Sequence, residues 1–160
     1  MEFTAEAIRR AERVRLIIFD VDGVLTDGGI YIGPDGELFK PFFCRDGLGI
    51  TLAHRAGLKT AIITGRESEH LRYRAKELHI TEVYQGNLDK RAAYADLKAK
   101  IGLADEEIAY FGDDLVLQSD YPGGHGAVRQ LIEFILKAQG KWEDLVAGFQ
   151  AKKSMEGLAQ

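Results

Sequence analysis

The sequence predicts an α/β fold with a mostly parallel sheet between helices. Three observations carry the prediction. Short, β-branched or aromatic runs at 14–19, 59–63, 81–84 and 108–111 alternate with helical stretches. The runs at 14–19 and 59–63 are apolar on both faces, as strands buried in a parallel sheet are. Three of the four strands end in polar residues: Asp20 and Asp22, Thr64, and Asp113 and Asp114. Open α/β sheets bind ligands at the carboxyl ends of their strands, so the polar groups gather on the expected edge.

In chain order, 5–13 reads as a short charged helix and 14–19 as the first buried strand. Residues 28–32 and 37–43 flank Gly33-Pro34-Asp35-Gly36, a hairpin signal with a four-residue turn. Residues 46–56 look helical, with Gly57 as the C-terminal cap. The strand at 59–63 ends in Thr64-Gly65-Arg66. A helix of high propensity and mixed charge follows at 67–78. After the short strand 81–84, residues 88–100 read as an amphipathic helix on Leu88, Ala92, Ala95, Leu97 and Ile101. The strand 108–111 ends in Gly112-Asp113-Asp114. The last helix is 126–139, and 140–160 is a mixed tail.

The 160 residues are 46% apolar and 29% charged, a globular composition that excludes disorder and fits one domain. Within it, 14–139 is the expected core, 30–43 a hairpin flap and 140–160 the tail. A net charge of −4 argues against general nucleic-acid binding. No apolar run approaches the ~18–20 residues of a membrane helix, and the start lacks a signal-peptide layout. The single cysteine, Cys44, excludes an intrachain disulfide and a Cys-rich zinc site. A cytoplasmic protein without membrane or nucleic-acid partners is the expectation.

Asp20 and Asp22 lie two residues apart just past a buried strand, and Gly23 permits a sharp turn after them. One aspartate can attack as a nucleophile while the other manages protons. Their repulsion calls for a cation, which Asp113 or Asp114 would help to hold, and oxygen-only ligands favour Mg²⁺ over zinc. Alone, such a pair reads as a solvated loop; the preceding strand and the second acidic pair reverse that reading. Thr64-Gly65 offers a hydroxyl and an amide before a helix, where an anion is favoured. Lys90, just inside the next helix, offers a point charge to a phosphate. Each alone has a plainer alternative, a helix N-cap for Thr64 and a surface charge for Lys90.

Together, these residues resemble the haloacid-dehalogenase phosphohydrolase superfamily. Within it, residues 19–28, 45–50, 61–66, 83–86, 112–114 and 123–129 are similar to the 3-deoxy-D-manno-octulosonate 8-phosphate (Kdo 8-phosphate) phosphatases. The resemblance runs from about residue 14 to residue 145. It implies a Rossmann-like core without a large cap, and hydrolysis of Kdo 8-phosphate to Kdo and phosphate in lipopolysaccharide precursor synthesis. By resemblance, Asp20 attacks phosphorus, and Asp22 protonates the leaving oxygen and then activates water. Mg²⁺ is held by Asp20, the backbone carbonyl of Asp22 and Asp113, with Asp114 behind them. Thr64, the Gly65 amide and Lys90 hold the phosphoryl oxygens. Substrate contacts fall on Asp22, Phe43, Cys44, Arg45, Asp46, Gly47, Gly65, Arg66, Arg74 and Lys90. A plain surface charge is the alternative for Arg74, and a small apolar role for Cys44. The resemblance also implies a homotetramer in which the flap and tail reach neighbouring active sites. The apolar Ile30, Ile32, Phe39, Phe42 and Phe43 fit burial by other subunits; packing on their own core is the alternative.

One departure stands out. Between Leu115 and Gly123 roughly 25 residues of the family pattern are absent, close to a strand–helix unit. A segment omitted from the chain as written, an engineered deletion and a natural, inactivating loss all fit. A real loss removes an edge strand, exposes its neighbour and puts Leu117 near the place of a bracing aspartate. Two alternatives to a Kdo 8-phosphate phosphatase remain: a 2-keto-3-deoxynononate 9-phosphate phosphatase, against which only Arg45 and Arg74 lean by resemblance, and, because of the shortened segment, a catalytically impaired oligomerisation scaffold.

Overall fold

Strand β1 (Leu16–Phe19) is the centre of the molecule, and all four of its residues are fully buried. In this computed structural model, which describes residues 3–112 and 119–157 (side chains at 150 and 152–157 excepted), β4 (Lys59–Ile63) lies on one side of it. Strand β6 (Ile108–Phe111) lies on the other, and β5 (Glu82–Tyr84) pairs beyond β4. The order is β5-β4-β1-β6 and every pairing is parallel. Phe19 stands opposite both Ile62 and Phe111, so the three strands end nearly level.

Alternation along the strands divides the core. Ile17, Phe19 and Ile62 face one side, with Ile50 and Leu52 of α2 (Cys44–Arg55) and Ile132 and Leu136 of α5 (Ala127–Ala138). Leu71 and Ala75 of α3 (Glu69–Glu77) complete that layer. Leu16, Ile18, Ala61 and Ile63 face the other side, against Ala93 and Leu97 of α4 (Lys90–Ile101). A fully buried Ile or Phe contributes about 1.5–3 kcal/mol, so β1, covered on both faces, anchors the site at its end. Helix α1 (Ala5–Arg13) is capped by Thr4 and docks beside α5. The small sheet is the hairpin β2 (Tyr31–Gly33) and β3 (Gly36–Phe39), with Tyr31 and Phe39 stacked at 4.4 Å.

The structure adjusts several expectations. The hairpin strands are shorter, because residues 40–43 turn inward, and Phe42 packs on the main core. Helix α4 starts two residues later than expected, where the Asp89 side chain accepts from Arg91 N at 3.1 Å. Its buried stripe is therefore Ala93 and Leu97 with Tyr94 and Ile101, while Leu88 is 90% exposed. The tail forms α6 (Trp142–Gly157), docked through Trp142, Leu145 and a Lys141 Nζ bond to Ala56 O at 3.0 Å. On the outer side of β6, no strand pairs among the described residues. Also among them, no helix is long and apolar enough to cross a membrane.

Candidate active site

The end of β1 is held by backbone before any side chain acts. Asp20 N donates to Phe111 O at 2.8 Å, and the turn after it closes with Leu25 N donating to Val21 O at 2.9 Å. Residues 123–124 press on this turn so closely that a Cβ on Gly123 would lie 1.8 Å from Gly23 O. Gly124 N donates to Val24 O at 3.1 Å. Only glycine permits that backbone-on-backbone contact. Asp20 is 7% exposed. Its Oδ1 accepts from Val21 N at 2.7 Å, and its Oδ2 accepts from Lys90 Nζ.

Thr64, at the end of β4, is buried, and its backbone is fixed by Tyr84 O and Asn87 N. It does not cap α3; that role falls to Ser68, whose Oγ accepts from Leu71 N. Lys90 opens α4, where the helix dipole disfavours a cation, and the Asp20 carboxylate offsets this. Lys90 Nζ also donates to Tyr110 Oη at 3.1 Å. Burial pulls the Lys90 ammonium down, but its bonds to Asp20 and Tyr110 outweigh that and hold it above the ordinary lysine value.

A second cluster surrounds Asp22; of its members sequence reasoning named Arg66 but not Lys40, Glu37 or Ser68. Lys40 Nζ donates to Asp22 Oδ1 at 2.5 Å and lies 3.4 Å from Glu37 Oε1. Glu37 Oε2 accepts from Ser68 Oγ. Arg66 stands 3.8 Å from both Asp22 Oδ2 and Glu37 Oε1. A signal was present: Lys40 sits in an otherwise apolar run, 38–43, and a lysine drawn inside needs an ionic partner.

The other predicted residues lie at the start of α2 and on α3. Asp46 is 2% exposed, and both its oxygens are taken by backbone N–H groups at the start of α5, Gly126 N at 3.3 Å and Arg129 N at 2.8 Å. Burial raises its pKa above the ordinary aspartate value, and the two N–H bonds oppose this. Gly47 leaves space that Arg74 fills; a Cβ there would meet Arg74 Nη2 at 2.3 Å. The Arg74 side chain is only 18% exposed, paired with Glu77 at 2.8 Å and lying over Phe42. Phe43 stacks near His125, while Cys44 and Arg45 are exposed. Asp113 and Asp114 lie outside the described residues. Among the described residues no three His, Cys, Asp or Glu side chains cluster as metal ligands.

Several known proteins resemble this chain. KdsC of Escherichia coli K12, a 3-deoxy-D-manno-octulosonate 8-phosphate phosphatase, is 40% identical over 167 residues, covering 88% of this chain and 89% of that protein. The chain belongs to the Kdo 8-phosphate phosphatase family. This is a family of phosphoric monoester hydrolases within the haloacid-dehalogenase superfamily. The Yersinia pestis family member of known structure is 39% identical, with a TM-score of 0.84 over 88% of this chain and 90% of that one. The Moraxella catarrhalis phosphatase, solved with magnesium, phosphate and a KDO molecule, is 34% identical, with a TM-score of 0.85 over 92% and 99%. No family model matches the chain. The alignment to KdsC also bears on the shortfall. Because 88% of 160 residues is about 141, some 26 of the 167 aligned positions have no residue here.

Proposed function

We propose that this protein is a Mg²⁺-dependent cytoplasmic phosphatase that hydrolyses Kdo 8-phosphate to Kdo and phosphate. The observation that carries the reading is the convergence of Asp20, Thr64 and Lys90 at the level ends of β1 and β4 and the start of α4. Asp20 attacks phosphorus as the bond to the sugar oxygen breaks, and that oxygen takes a proton from Asp22. Water then attacks the aspartyl-phosphate, giving its proton to Asp22 while the bond from Asp20 to phosphorus breaks. The transferred group carries concentrated negative charge, so positioning and neutralisation dominate the barrier. Lys90, drawn to Asp20 here, is placed to turn its ammonium onto phosphoryl oxygens, beside the Thr64 hydroxyl and the Gly65 amide.

The oxygen-only donors at this edge fit magnesium. Asp20, the Asp22 carbonyl and Asp113 would hold it, and when bound it supplies charge neutralisation. Arg45, Arg66 and Arg74 are the candidates for a sugar-acid carboxylate, for which guanidinium offers paired donors. The relatives' names support Kdo 8-phosphate over 2-keto-3-deoxynononate 9-phosphate. Ile30, Ile32, Leu38 and Phe39 are each at least 45% exposed on the hairpin. An exposed apolar patch on a marginal hairpin supports burial by further subunits, in a tetramer whose flap and tail reach neighbouring sites.

Phosphate release from Kdo 8-phosphate and from 2-keto-3-deoxynononate 9-phosphate, with and without Mg²⁺, tests the function beside an Asp20→Asn control. Faster Mg²⁺-dependent release from the first is expected. Release no greater than the control sinks the enzymatic reading. It would leave the oligomerisation scaffold, which the missing 26 positions favour.

A further inference from the structure

Lys40 has no assigned role, yet its surroundings are those of a built feature. Its side chain is 4% exposed. Burying an ammonium and freezing a four-carbon stem each cost free energy, so the position requires good partners. Lys40 has two: Asp22 Oδ1 at 2.5 Å and Glu37 Oε1 at 3.4 Å. Glu37 is braced in turn by the hydroxyl of Ser68, the residue that caps α3. Ser68 N accepts no freedom either, since it donates to Gln85 Oε1 at 2.8 Å. A continuous chain of contacts thus runs from Gln85 through Ser68, Glu37 and Lys40 to the Asp22 carboxylate. One carboxylate oxygen is taken up by it. Oδ2 faces only Arg66 Nε, at 3.8 Å, among the contacts described, which is too long for a hydrogen bond.

Resting on the phosphatase reading above, we propose that Lys40 is a positioning residue. It grips Oδ1 of Asp22, orients the carboxylate so that Oδ2 serves as the proton-transferring oxygen, and ties that orientation to the base of the hairpin. Glu37 holds Lys40 in place. The hairpin thereby acts on its own subunit's chemistry, separately from any cover it gives a neighbour.

Positioned general acid–base groups contribute roughly 10²–10⁴-fold. They matter most when the leaving group is poor. Glycerol 2-phosphate needs a proton on its departing alkoxide; p-nitrophenyl phosphate does not. The test measures kcat/KM, which reports the steps through aspartyl-phosphate formation, for both small esters and for Kdo 8-phosphate in wild type, Lys40→Met, Lys40→Arg and Glu37→Gln, each checked by thermal melting. Lys40→Met is expected to lose at least about 30-fold on glycerol 2-phosphate and less than about threefold on p-nitrophenyl phosphate. Lys40→Arg should recover most of the loss, and Glu37→Gln should show a smaller loss with the same ester preference. Equal losses on both esters, or none, overturn the proposal and mark Lys40 as a structural strut. A loss on Kdo 8-phosphate but not on glycerol 2-phosphate also overturns it, by making Lys40 a sugar contact. A wild type that hydrolyses none of the three, Kdo 8-phosphate included, overturns the phosphatase reading and this proposal with it. A wild type active on Kdo 8-phosphate keeps that reading and leaves the Lys40 variants to decide the proposal, with Kdo 8-phosphate, itself an alkyl ester, standing in for glycerol 2-phosphate where the small ester is too slow to measure.

Discussion

Replacing Asp46 by alanine should lower stability by about 2 kcal/mol while leaving the strand-end residues in place. Asp46 sits in the first turn of α2, yet it caps α5, some eighty residues further along the chain. Removing it strips acceptors from Gly126 N and Arg129 N. A lost cap costs about 1–2 kcal/mol and hydrogen bonds to a charged group about 1.5–3 kcal/mol. Part of that returns, because the variant no longer holds a carboxylate whose ionised form is penalised by burial. For a chain of this size about 2–4 °C follows each kcal/mol, so the melting temperature should fall by about 4–8 °C. The pH dependence sharpens the test. A carboxyl whose folded pKa is raised stabilises the protein more as pH falls, and this gain is lost as pH rises through the folded value. The gap between wild type and Asp46→Ala should therefore widen on acidification from neutrality toward the ordinary aspartate value. Calorimetry across that range decides it. A melting shift below about 1 °C, or a gap that narrows on acidification, would refute the capping argument.

Two further outcomes follow from the described contacts. His54, half-buried and 2.6 Å from Thr60 Oγ1, has its pKa lowered by burial and, to a lesser extent, by His79. Its contribution to stability is present above the ordinary histidine value and is lost as pH falls through the depressed one. Urea midpoints should fall across that window in wild type and less so in His54→Gln; parallel curves would count against it. Gly123→Ala places a Cβ inside the Gly23 carbonyl. It should cost about 3 kcal/mol or more and lower activity together with stability, since it displaces the turn that carries Asp22; a melting curve matching wild type would contradict this.

Much of the fold was legible because the strands announce themselves by composition. Ile17, Ile18 and Phe19, or Ala61 to Ile63, have no polar face to offer water. Asp20 and Thr64 were legible because each follows directly on such a strand, and Lys90 because it opens the next helix but one. Local signals were weaker where tertiary contacts decide. Leu88 fits a helical period but precedes the Asp89 cap, so it stays outside α4. The tail carries no clear apolar stripe, and α6 docks through Trp142 and Leu145 near its start. Asp46 drew attention as a candidate substrate contact, but nothing local reveals that the amides of Gly126 and Arg129 occupy it. Lys40 was missed because its partner Asp22 lies eighteen residues away, across the hairpin.

The shortened segment bears unequally on the two halves of the site. Asp20, Thr64 and Lys90 depend on β1, β4 and α4, and β1 has sheet neighbours on both sides and core on both faces. If the absent positions form a strand outside β6, as the family pattern implies, their loss leaves that arrangement intact. Asp113 follows Gly112, one residue past the end of β6, so the side proposed to hold the metal carries the consequence. Phosphate positioning should therefore survive better than magnesium affinity. Ligand binding to the folded state stabilises by RT ln(1 + [L]/Kd), about 1.4 kcal/mol when the ion is tenfold above Kd, or about 3–6 °C for this chain. If magnesium binding is weakened to about 1 mM or beyond, melting at about 10 mM Mg²⁺ should rise by no more than that. A rise well above about 6 °C would show that the metal loop holds its ion without the missing segment, and that the 26 absent positions do not impair the centre.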